Sequence, residues 1–298
     1  MGDRNQRIGL VGLGLVGSAL VDRFRSFDCV GFDIDEAARK RAEGRGCRTV
    51  NSAAAVAESA GQILLSLPDS DVVEQVVEGQ SGLIEQCQRG DLVIDTTTSD
   101  PERCAQLAER LDAKGIKMVD ATILGSSRMV ADGTCLVMAG GQPEAFARAQ
   151  TLLDTFASRI FHLGANGKGS EAKLIVNLVL GLNRLVLAEG LVLGRKAGLD
   201  LNQLLDIFRD GAAYSRVMDH KGDRMVQENF DPEARLAQHL KDVGLILDMG
   251  MKQGIRLPVS SLHANILRKG VEEGLADQDN SAVIKALEQY ISDGRNPH

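Results

Sequence analysis

The sequence predicts a mixed α/β fold, in which a doubly wound parallel sheet is followed by an all-α C-terminal domain that a long helix joins to it. Short apolar segments alternate with helical segments up to about residue 163, and helical patterns continue alone from residue 168. Residues 168–196 contain no proline and are apolar in nearly every direction around a helix, as buried helices are. We therefore expect two domains, 1–164 and 165–298, a number that suits a chain of 298 residues.

Composition excludes several functional classes. The net charge of −7 argues against a general binder of nucleic acid or of anionic membranes. Five scattered cysteines without a C-x-x-C pair favour reduced thiols in a cytoplasmic protein, and neither they nor the five histidines form a metal-ligand pattern. The polar N-terminal segment, residues 1–7, predicts that no secretory signal peptide is present.

The first predicted strand, residues 7–11, runs into a glycine-rich turn that opens a helix. This G-x-G-x-x-G consists of Gly12, Leu13, Gly14, Leu15, Val16 and Gly17. Its first glycine permits a tight turn, its second lets the backbone approach a pyrophosphate, and its third lets helix and strand pack closely. The helix N-terminus then attracts the phosphates. The motif predicts a Rossmann-type dinucleotide-binding domain; the alternative is a purely structural turn.

The residue after the second strand indicates which dinucleotide binds. Strand 29–32 ends at Asp33, which lies 19 residues beyond Gly14. A carboxylate there accepts hydrogen bonds from the ribose hydroxyls and repels a 2′-phosphate, so NAD is expected and NADP is disfavoured. Asp33 could instead cap the next helix, but Asp35 stands closer to that helix and is the better cap.

The alternation continues through the rest of the first domain. Strands are expected at 48–50, 62–67, 91–95, 116–120, 134–139 and 159–163, and helices at 52–60, 70–77, 101–114 and 143–157. Ligands of such sheets bind beyond the carboxyl ends of the strands. We expect three of these ends to face the cofactor: Leu67-Pro68-Asp69, residues 95–99, and Asp120-Ala121-Thr122. β-propensity alone would also explain the threonines.

In the second domain, helices are expected at 168–196, 202–210, 215–226, 232–253, 258–269 and 281–293. Lys173 and Asn177 lie four residues apart, on one face of the first of these helices. A buried lysine must be paired, reach water or lose its proton readily, and the last property suits proton transfer. Alternatively, Lys173 reaches solvent from a frayed first turn, and Lys241 is an exposed lysine paired with Asp242 or with a residue one turn away.

Together these motifs resemble the β-hydroxyacid dehydrogenase family, which includes 3-hydroxyisobutyrate dehydrogenase and tartronate semialdehyde reductase. Residues 12–17 resemble its G-L-G-x-M-G, and Leu67-Pro68 and residues 95–98 resemble its L-P and D-x-S-T loops. Residues 167–177 resemble its G-x-G-x-x-x-K-x-x-N signature, and Lys241-Asp242 its K-D pair. The resemblance extends over essentially the whole chain.

The resemblance implies hydride transfer between NAD(P) and a small β-hydroxy acid or its semialdehyde. It implies that Lys173 is the catalytic acid/base and that Asn177 orients the lysine and binds substrate. Thr98 and the backbone near Leu67 and Pro68 would position the nicotinamide, with Lys241 close to it. A homodimer or homotetramer is expected, because the long helix is more apolar than one small domain can cover.

The expected substrate loop departs from the family pattern D-A-P-V-S-G-G. Leu124 stands at the usual serine, Gly125 is kept, and Ser126 stands at the second glycine. Leu124, Gly125 and Ser126 are still expected to line the substrate site. Because leucine cannot hydrogen-bond a carboxylate, the preferred substrate is expected to be less polar at that end; the alternative is that Ser126, Ser127 or Arg128 supplies a replacement donor.

Three other functions remain open at this point. An imine reductase-like enzyme shares the expected fold, but those enzymes often carry another residue at the position of Lys173. A catalytically inactive dinucleotide-binding scaffold would explain why leucine replaces the usual serine at position 124. It would not explain why Lys173 and Asn177 are kept. A decarboxylating enzyme of the 6-phosphogluconate type would need a longer helical domain. No membrane span is expected, because polar residues such as Arg184 interrupt the long helix.

Overall fold

The computed structural model describes residue 4 and residues 7–292. Most of the polar N-terminal segment, on which the signal-peptide prediction rests, lies outside the described residues. The chain forms two compact units, Met1–Lys173 and Leu174–His298, so the division falls inside the long helix, nine residues after the expected boundary at residue 164.

The first unit is built on one eight-stranded sheet in the order β3-β2-β1-β4-β5-β6-β7-β8. Its strands are β1 (Arg7–Val11), β2 (Asp28–Phe32), β3 (Arg48–Thr49), β4 (Gln62–Leu65), β5 (Leu92–Asp95), β6 (Lys117–Leu124), β7 (Cys135–Gly140) and β8 (Ala157–His162). Strands β1 to β6 are parallel, and β7 runs antiparallel to β6. Because the order reverses between β1 and β4, a crevice forms beyond their carboxyl ends. The predicted doubly wound fold is confirmed.

Helices connect these strands and cover both faces of the sheet. They are α1 (Leu15–Arg23), α2 (Glu36–Glu43), α3 (Ala53–Ser59), α4 (Ser70–Glu78), α5 (Pro101–Asp112), α6 (Ser127–Asp132) and α7 (Pro143–Leu153). Successive strand residues alternate between two cores, so that Leu64 packs in one and Ile63 and Leu65 in the other. Asp35 caps α2 as predicted, and Asp100 caps α5.

Strand β6 is longer than its sequence pattern indicates. It pairs with β5 up to Asp120 and then continues to Leu124 as the antiparallel partner of β7. The prediction that Asp120-Ala121-Thr122 form a strand end facing the cofactor is therefore wrong, since these residues lie inside the strand and are buried. The second pairing, with residues 136–140, decides the length of the strand.

The remaining helices begin with the predicted long one. They are α8 (Lys168–Lys196), α9 (Leu201–Asp210), α10 (Asp223–Val226), α11 (Leu236–Lys252), α12 (Pro258–Glu272) and α13 (Val283–Ser292), with a π turn at Met218–Gly222 before α10. By length and composition alone, α8 could cross a bilayer, with a mean hydropathy of 1.7 over its most apolar window. Buried core helices share this property, and 44% of that window is buried inside the protein.

A buried aspartate organises the helical unit and moves the start of α11. Asp279 is fully buried and accepts hydrogen bonds from the backbone N–H groups of Glu233 and Ala234 at 3.1 and 3.2 Å. Its carboxylate also binds the Lys221 ammonium at 3.0 Å. The predicted start of α11 at residue 232 is wrong, because Asp279 holds this segment as a turn and the helix begins at Leu236.

Replacing Asp279 by alanine is expected to destabilise the helical unit by about 3–5 kcal/mol, because it removes the buried partner of the Lys221 ammonium, leaving only the half-exposed Glu233 among the described residues, and leaves the Glu233 and Ala234 N–H groups without their acceptor. Burial alone would raise the pKa of Asp279, but Lys221 and the hydrogen bonds of Ser281 outweigh it and lower the pKa to about 2. A carboxylate whose pKa is lowered by folding stabilises the fold at every pH above its pKa in the unfolded chain, which is about 4. This contribution is therefore lost as the pH falls from about 4 towards 2.

Urea unfolding of the wild type and of the alanine variant, at pH 7 and at acidic pH, measures this contribution. Asp277→Ala is the matched control, since the Asp277 side chain is exposed and lies 3.6 Å from the exposed Arg235. Equal destabilisation by the two substitutions would show that Asp279 has no special structural role.

Candidate active site

The glycine-rich turn between β1 and α1 is shaped by close backbone contacts. Gly12 adopts a φ of +94°, and a Cβ there would lie 2.1 Å from the Ser66 carbonyl oxygen after β4. A Cβ at Gly17 would lie 1.9 Å from the Gly12 carbonyl oxygen. These two glycines are therefore required by the packing of the protein itself, one by the tight turn and the other by helix–strand contact.

Gly14 is different, because a Cβ at this position would meet no protein atom within 4 Å. Gly14 is the N-cap of α1, and no side chain of the described residues caps that helix. Gly14 therefore leaves room for a ligand at the N-terminus of α1, where the first N–H groups have no acceptor within the helix itself. Leu13 is buried, Leu15 is exposed and Val16 is half-buried. Because all three side chains are apolar, only the backbone N–H groups of this motif could donate hydrogen bonds to phosphates.

Asp33 follows β2 and lies directly beside this turn. Its Oδ2 accepts a hydrogen bond from the Leu13 N–H at 2.6 Å, and its Oδ1 accepts one from the Asp35 N–H at 2.9 Å. The carboxylate keeps further acceptor positions and is only half-buried. The structure therefore brings Asp33 and the glycine turn together, as a site for an adenine ribose and a pyrophosphate requires.

The loops after β4 and β5 lie side by side. Thr96 Oγ1 donates to the Leu65 carbonyl at 2.7 Å, and the Leu67 N–H donates to Thr97 Oγ1 at 3.2 Å. Thr96 and Thr97 are buried and hold the loops together, whereas Thr98 is half-buried and Pro68 is exposed. Of the predicted nicotinamide-side residues, Leu67, Pro68 and Thr98 thus share one edge of the first unit.

Two buried carboxylates lie at the ends of the parallel pairing. Asp95 on β5 and Asp120 on β6 are register partners, and each is 1% exposed. Burial raises the pKa of both groups to about 6, and their mutual repulsion contributes to the raised pKa of Asp95. Asp95 accepts a hydrogen bond from the Thr97 N–H, and Asp120 accepts one from the Gly167 N–H at the start of α8. Both carboxylates therefore bind backbone N–H groups of the protein itself.

Lys173 is buried in the second turn of α8. Its side chain is 9% exposed, and its Nζ donates a hydrogen bond to the Ile123 carbonyl at 2.6 Å. The alternative of a frayed lysine that reaches solvent does not describe this residue. The ammonium lies beside the backbone of β6, one residue before Leu124, so Lys173 and the expected substrate loop are neighbours.

Asn177, one turn after Lys173 on α8, belongs to the helical unit. Its Nδ2 donates to Asp242 Oδ2 at 3.1 Å, and the Lys241 ammonium lies 3.1 Å from Asp242 Oδ1. Both Asn177 and Asp242 are buried. The amide is therefore oriented by a carboxylate, which the K-D sequence pair alone does not reveal. Lys241 is half-buried, and its expected contact with the cofactor stays a prediction.

The residues of the substrate loop have distinct positions. Leu124 ends β6 and is half-buried. Gly125 adopts a φ of +156°, where a Cβ would lie 2.9 Å from that of Cys135. Ser126 caps α6, because its Oγ accepts a hydrogen bond from the Met129 N–H at 3.3 Å, and its O–H can still donate. The loop retains the shape that Gly125 provides, and Leu124 supplies an apolar side chain where the family has serine.

Sequence reasoning missed how β6 is attached to α8. Thr122 stands where the family loop has proline, and its Oγ1 lies 3.1 Å from the Gly169 carbonyl and 3.2 Å from the Met138 carbonyl. A buried D-x-T within an apolar strand was the available signal. Across residue 4 and residues 7–292, no group of three or more His, Cys, Asp and Glu side chains is placed to hold a metal.

Comparison with known proteins agrees with this geometry. The profile for the NAD binding domain of 6-phosphogluconate dehydrogenase matches residues 7–164. The profile described as NAD-binding of NADP-dependent 3-hydroxyisobutyrate dehydrogenase matches residues 167–287. Together the two profiles account for both units of the chain.

Relatives match over nearly the full length. The chain is 31% identical to 2-(hydroxymethyl)glutarate dehydrogenase of Eubacterium barkeri, with 96% of each chain covered. It is 30% identical to glyoxylate/succinic semialdehyde reductase 1 of Arabidopsis thaliana, covering 94% of this chain and 98% of the relative. A 3-hydroxyisobutyrate dehydrogenase structure from Salmonella typhimurium superposes with a TM-score of 0.87 at 27% identity, covering 94% and 99% of the two chains. The chain therefore belongs to the β-hydroxyacid dehydrogenase family, whose members are NAD(P)-dependent oxidoreductases of small hydroxy acids and semialdehydes.

Proposed function

We propose that this oxidoreductase is a 3-hydroxyisobutyrate dehydrogenase-like enzyme that uses NAD and a lysine acid/base. The observation that carries the proposal is the buried Lys173 ammonium, 2.6 Å from the Ile123 carbonyl and one residue from the substrate loop. A buried lysine whose amine is fixed by a backbone acceptor is suited to transfer a proton at a defined position.

Each group of the site has a role in this proposal. Lys173 takes the proton of the β-hydroxyl oxygen during oxidation and returns one to the carbonyl oxygen during reduction. Asn177, whose amide is oriented by Asp242, binds the same oxygen and orients it towards Lys173. The glycine turn binds the pyrophosphate, and Leu67, Pro68, Thr98 and Lys241 position the nicotinamide. The bound dinucleotide supplies the hydride donor or acceptor.

The substrate is proposed to be a short hydroxy acid or semialdehyde with an apolar group near Leu124. The relatives are named for acting on 2-(hydroxymethyl)glutarate and on glyoxylate and succinic semialdehyde. Leu124 offers no hydrogen bond to a carboxylate, whereas Ser126 Oγ accepts the Met129 N–H and can still donate its own O–H. The apolar side chain of Leu124 favours a substrate with one carboxylate over a dicarboxylate.

A homodimer or homotetramer formed through the helical unit is also proposed. Four apolar residues of α8 are exposed at helical spacing: Ile175, Val179, Val186 and Leu193. Exposed apolar stripes of this kind are typical of subunit interfaces.

A cytoplasmic location is proposed as well. It is supported by the five cysteines, which are all free thiols: Cys29, Cys47, Cys87, Cys104 and Cys135. Nucleic-acid and membrane partners are not part of the proposal.

A substrate panel assayed with NADH and with NADPH tests the function. We expect turnover of short semialdehydes and of their β-hydroxy acids, with monocarboxylates preferred over the dicarboxylate 2-(hydroxymethyl)glutarate. Binding of NADH, seen by its fluorescence, without turnover of any compound would instead indicate the inactive scaffold. Turnover of cyclic imines alone would indicate an imine reductase.

The preference between the two cofactors is expected to depend on Asp33. The wild type should prefer NADH over NADPH, because the Asp33 carboxylate repels a 2′-phosphate. In Asp33→Ser this preference should weaken or reverse, and Arg39, whose Nη1 lies 2.6 Å from the Asp33 carbonyl oxygen, can then reach the phosphate. The ratio of kcat/KM for the two cofactors measures the change. An unchanged ratio would remove Asp33 from cofactor selection.

A further inference from the structure

The start of α8 is capped by a side chain from a distant strand. Asp120 Oδ1 accepts a hydrogen bond from the Gly167 N–H at 2.8 Å, and Asp120 Oδ2 accepts one from the Ser170 N–H at 2.9 Å. Because α8 begins at Lys168, these donors belong to the turn whose N–H groups the helix itself cannot satisfy. One carboxylate of β6 thus satisfies both ends of the first turn of α8.

The same strand holds the next turn of the helix. Thr122 Oγ1 lies 3.1 Å from the Gly169 carbonyl, and the Ile123 carbonyl accepts the hydrogen bond of Lys173 Nζ. Three residues of β6, Asp120, Thr122 and Ile123, therefore fix residues 167–173 at successive points. Strand β6 is in turn paired on both sides, with β5 and β7, so it is a rigid support.

Packing at this junction leaves little freedom. A Cβ at Gly169 would lie 2.8 Å from Asp120 Oδ2 and 2.6 Å from the Met138 carbonyl oxygen. A Cβ at Gly140 would lie 2.7 Å from Asp120 Oδ1. Backbone therefore approaches the Asp120 carboxylate from both α8 and β7, and the first turn of α8 has one closely defined position.

We propose that Asp120 is a positioning residue for Lys173, which places the lysine backbone so that its ammonium meets the Ile123 carbonyl. The inference rests on the proposed acid/base role of Lys173. Asp120 is buried, and both its oxygens accept backbone N–H groups, so it neither contacts substrate nor carries its proton. Its influence on the reaction is transmitted through the first turn of α8.

A double-mutant cycle tests this proposal. Asp120→Asn keeps the shape of the side chain but replaces one acceptor oxygen by an NH₂ group, which faces a backbone N–H. We expect kcat to fall by up to about 10²-fold, as small misplacements of catalytic groups do, while NADH affinity measured by fluorescence is unchanged. In a Lys173→Ala background the same substitution should change kcat by less than about twofold, because no ammonium is left to position.

Asp91→Asn is the matched control. Asp91 is also buried, and it is hydrogen-bonded to Arg4 and to the Gln88 N–H. It directly precedes β5, however, and so lies at the amino end of that strand, whereas Asp120 lies where the pairing of β5 with β6 ends. This variant should lose stability and keep its kcat. Thr122→Val, which removes the hydroxyl near Gly169 at nearly constant shape, is the second test if Asp120→Asn fails to fold. Thr122→Val is expected to lower kcat less than Asp120→Asn does. This loss should also disappear in the Lys173→Ala background.

The outcomes separate the inference from the proposed function. If Lys173→Ala loses turnover but the β6 variants lower kcat equally in both backgrounds, or not at all, Asp120 is merely structural and the inference is overturned. If Lys173→Ala keeps full turnover, the acid/base role fails and the inference fails with it. A loss of kcat that disappears in the Lys173→Ala background supports both.

Discussion

Replacing Lys173 by alanine is expected to lower kcat by roughly 10²–10⁴-fold, the usual contribution of a general acid/base. The substitution removes the buried ammonium at the Ile123 carbonyl and leaves the glycine turn untouched. NADH should therefore bind as tightly as to the wild type. Steady-state kinetics on the best compound of the panel, together with a fluorescence titration of NADH, measure the two quantities separately.

Lys168→Ala is the control on the same helix. Lys168 is half-exposed and pairs with Glu171 at 2.7 Å, an arrangement that contributes little to stability. Its loss should leave kcat unchanged. If both lysine variants retain the turnover of the wild type, Lys173 has no catalytic role and the proton must come from another group.

The glycine turn is expected to give opposite results at two neighbouring positions. In Gly14→Ala the new methyl group meets no protein atom, so stability should stay within about 0.5 kcal/mol of the wild type. The same methyl group keeps the pyrophosphate away from the N–H groups of α1. Each lost hydrogen bond to a charged group costs about 1.5–3 kcal/mol, so NADH should bind about ten- to a hundredfold more weakly.

Gly17→Ala should instead damage the fold, because its Cβ would lie 1.9 Å from the Gly12 carbonyl oxygen and α1 must move away from β1. Overpacking of this kind costs about 1–3 kcal/mol or more, which thermal unfolding would detect. Equal loss of stability in the two variants would mean that Gly14, like Gly17, is structural. Unchanged NADH affinity in Gly14→Ala would remove the turn from cofactor binding.

Local signals were sufficient for much of the fold. The glycine turn, the acid after β2 and the limits of α8 at residues 168 and 196 follow from short-range patterns, and the structure has them at those positions. The caps of α2 and α5 were also predictable, because Asp35 and Asp100 bond to N–H groups two or three residues away.

Two of the errors have a common cause, since each involves a partner distant in the chain. The Asp231-Pro232 pair is a typical helix start, yet Asp279 binds the next two N–H groups across more than 40 residues and delays α11. The length of β6 depends in the same way on β7. The segment expected as one helix at 215–226 instead contains a π turn, and α7 ends four residues early because β8 begins at Ala157.

The candidate site divides along the same line. Lys173, Asn177 and the glycines could be named from their motifs, because their spacing is local. The carbonyl that anchors Lys173, the carboxylate that orients Asn177 and the cap of α8 lie 47–65 residues away from their partners. No spacing rule connects such pairs, so sequence alone could identify the reacting groups but not what holds them in place.

The division of labour along β6 sets a practical limit for changing the specificity of this enzyme by directed evolution. Asp120, Thr122 and Ile123 support the helix that carries Lys173, so diversity introduced there would mostly yield damaged catalysts. Leu124, directly after that support, has a side chain that no hydrogen bond of the fold requires. A small library at this one codon is therefore the most economical way to recruit new acids as substrates.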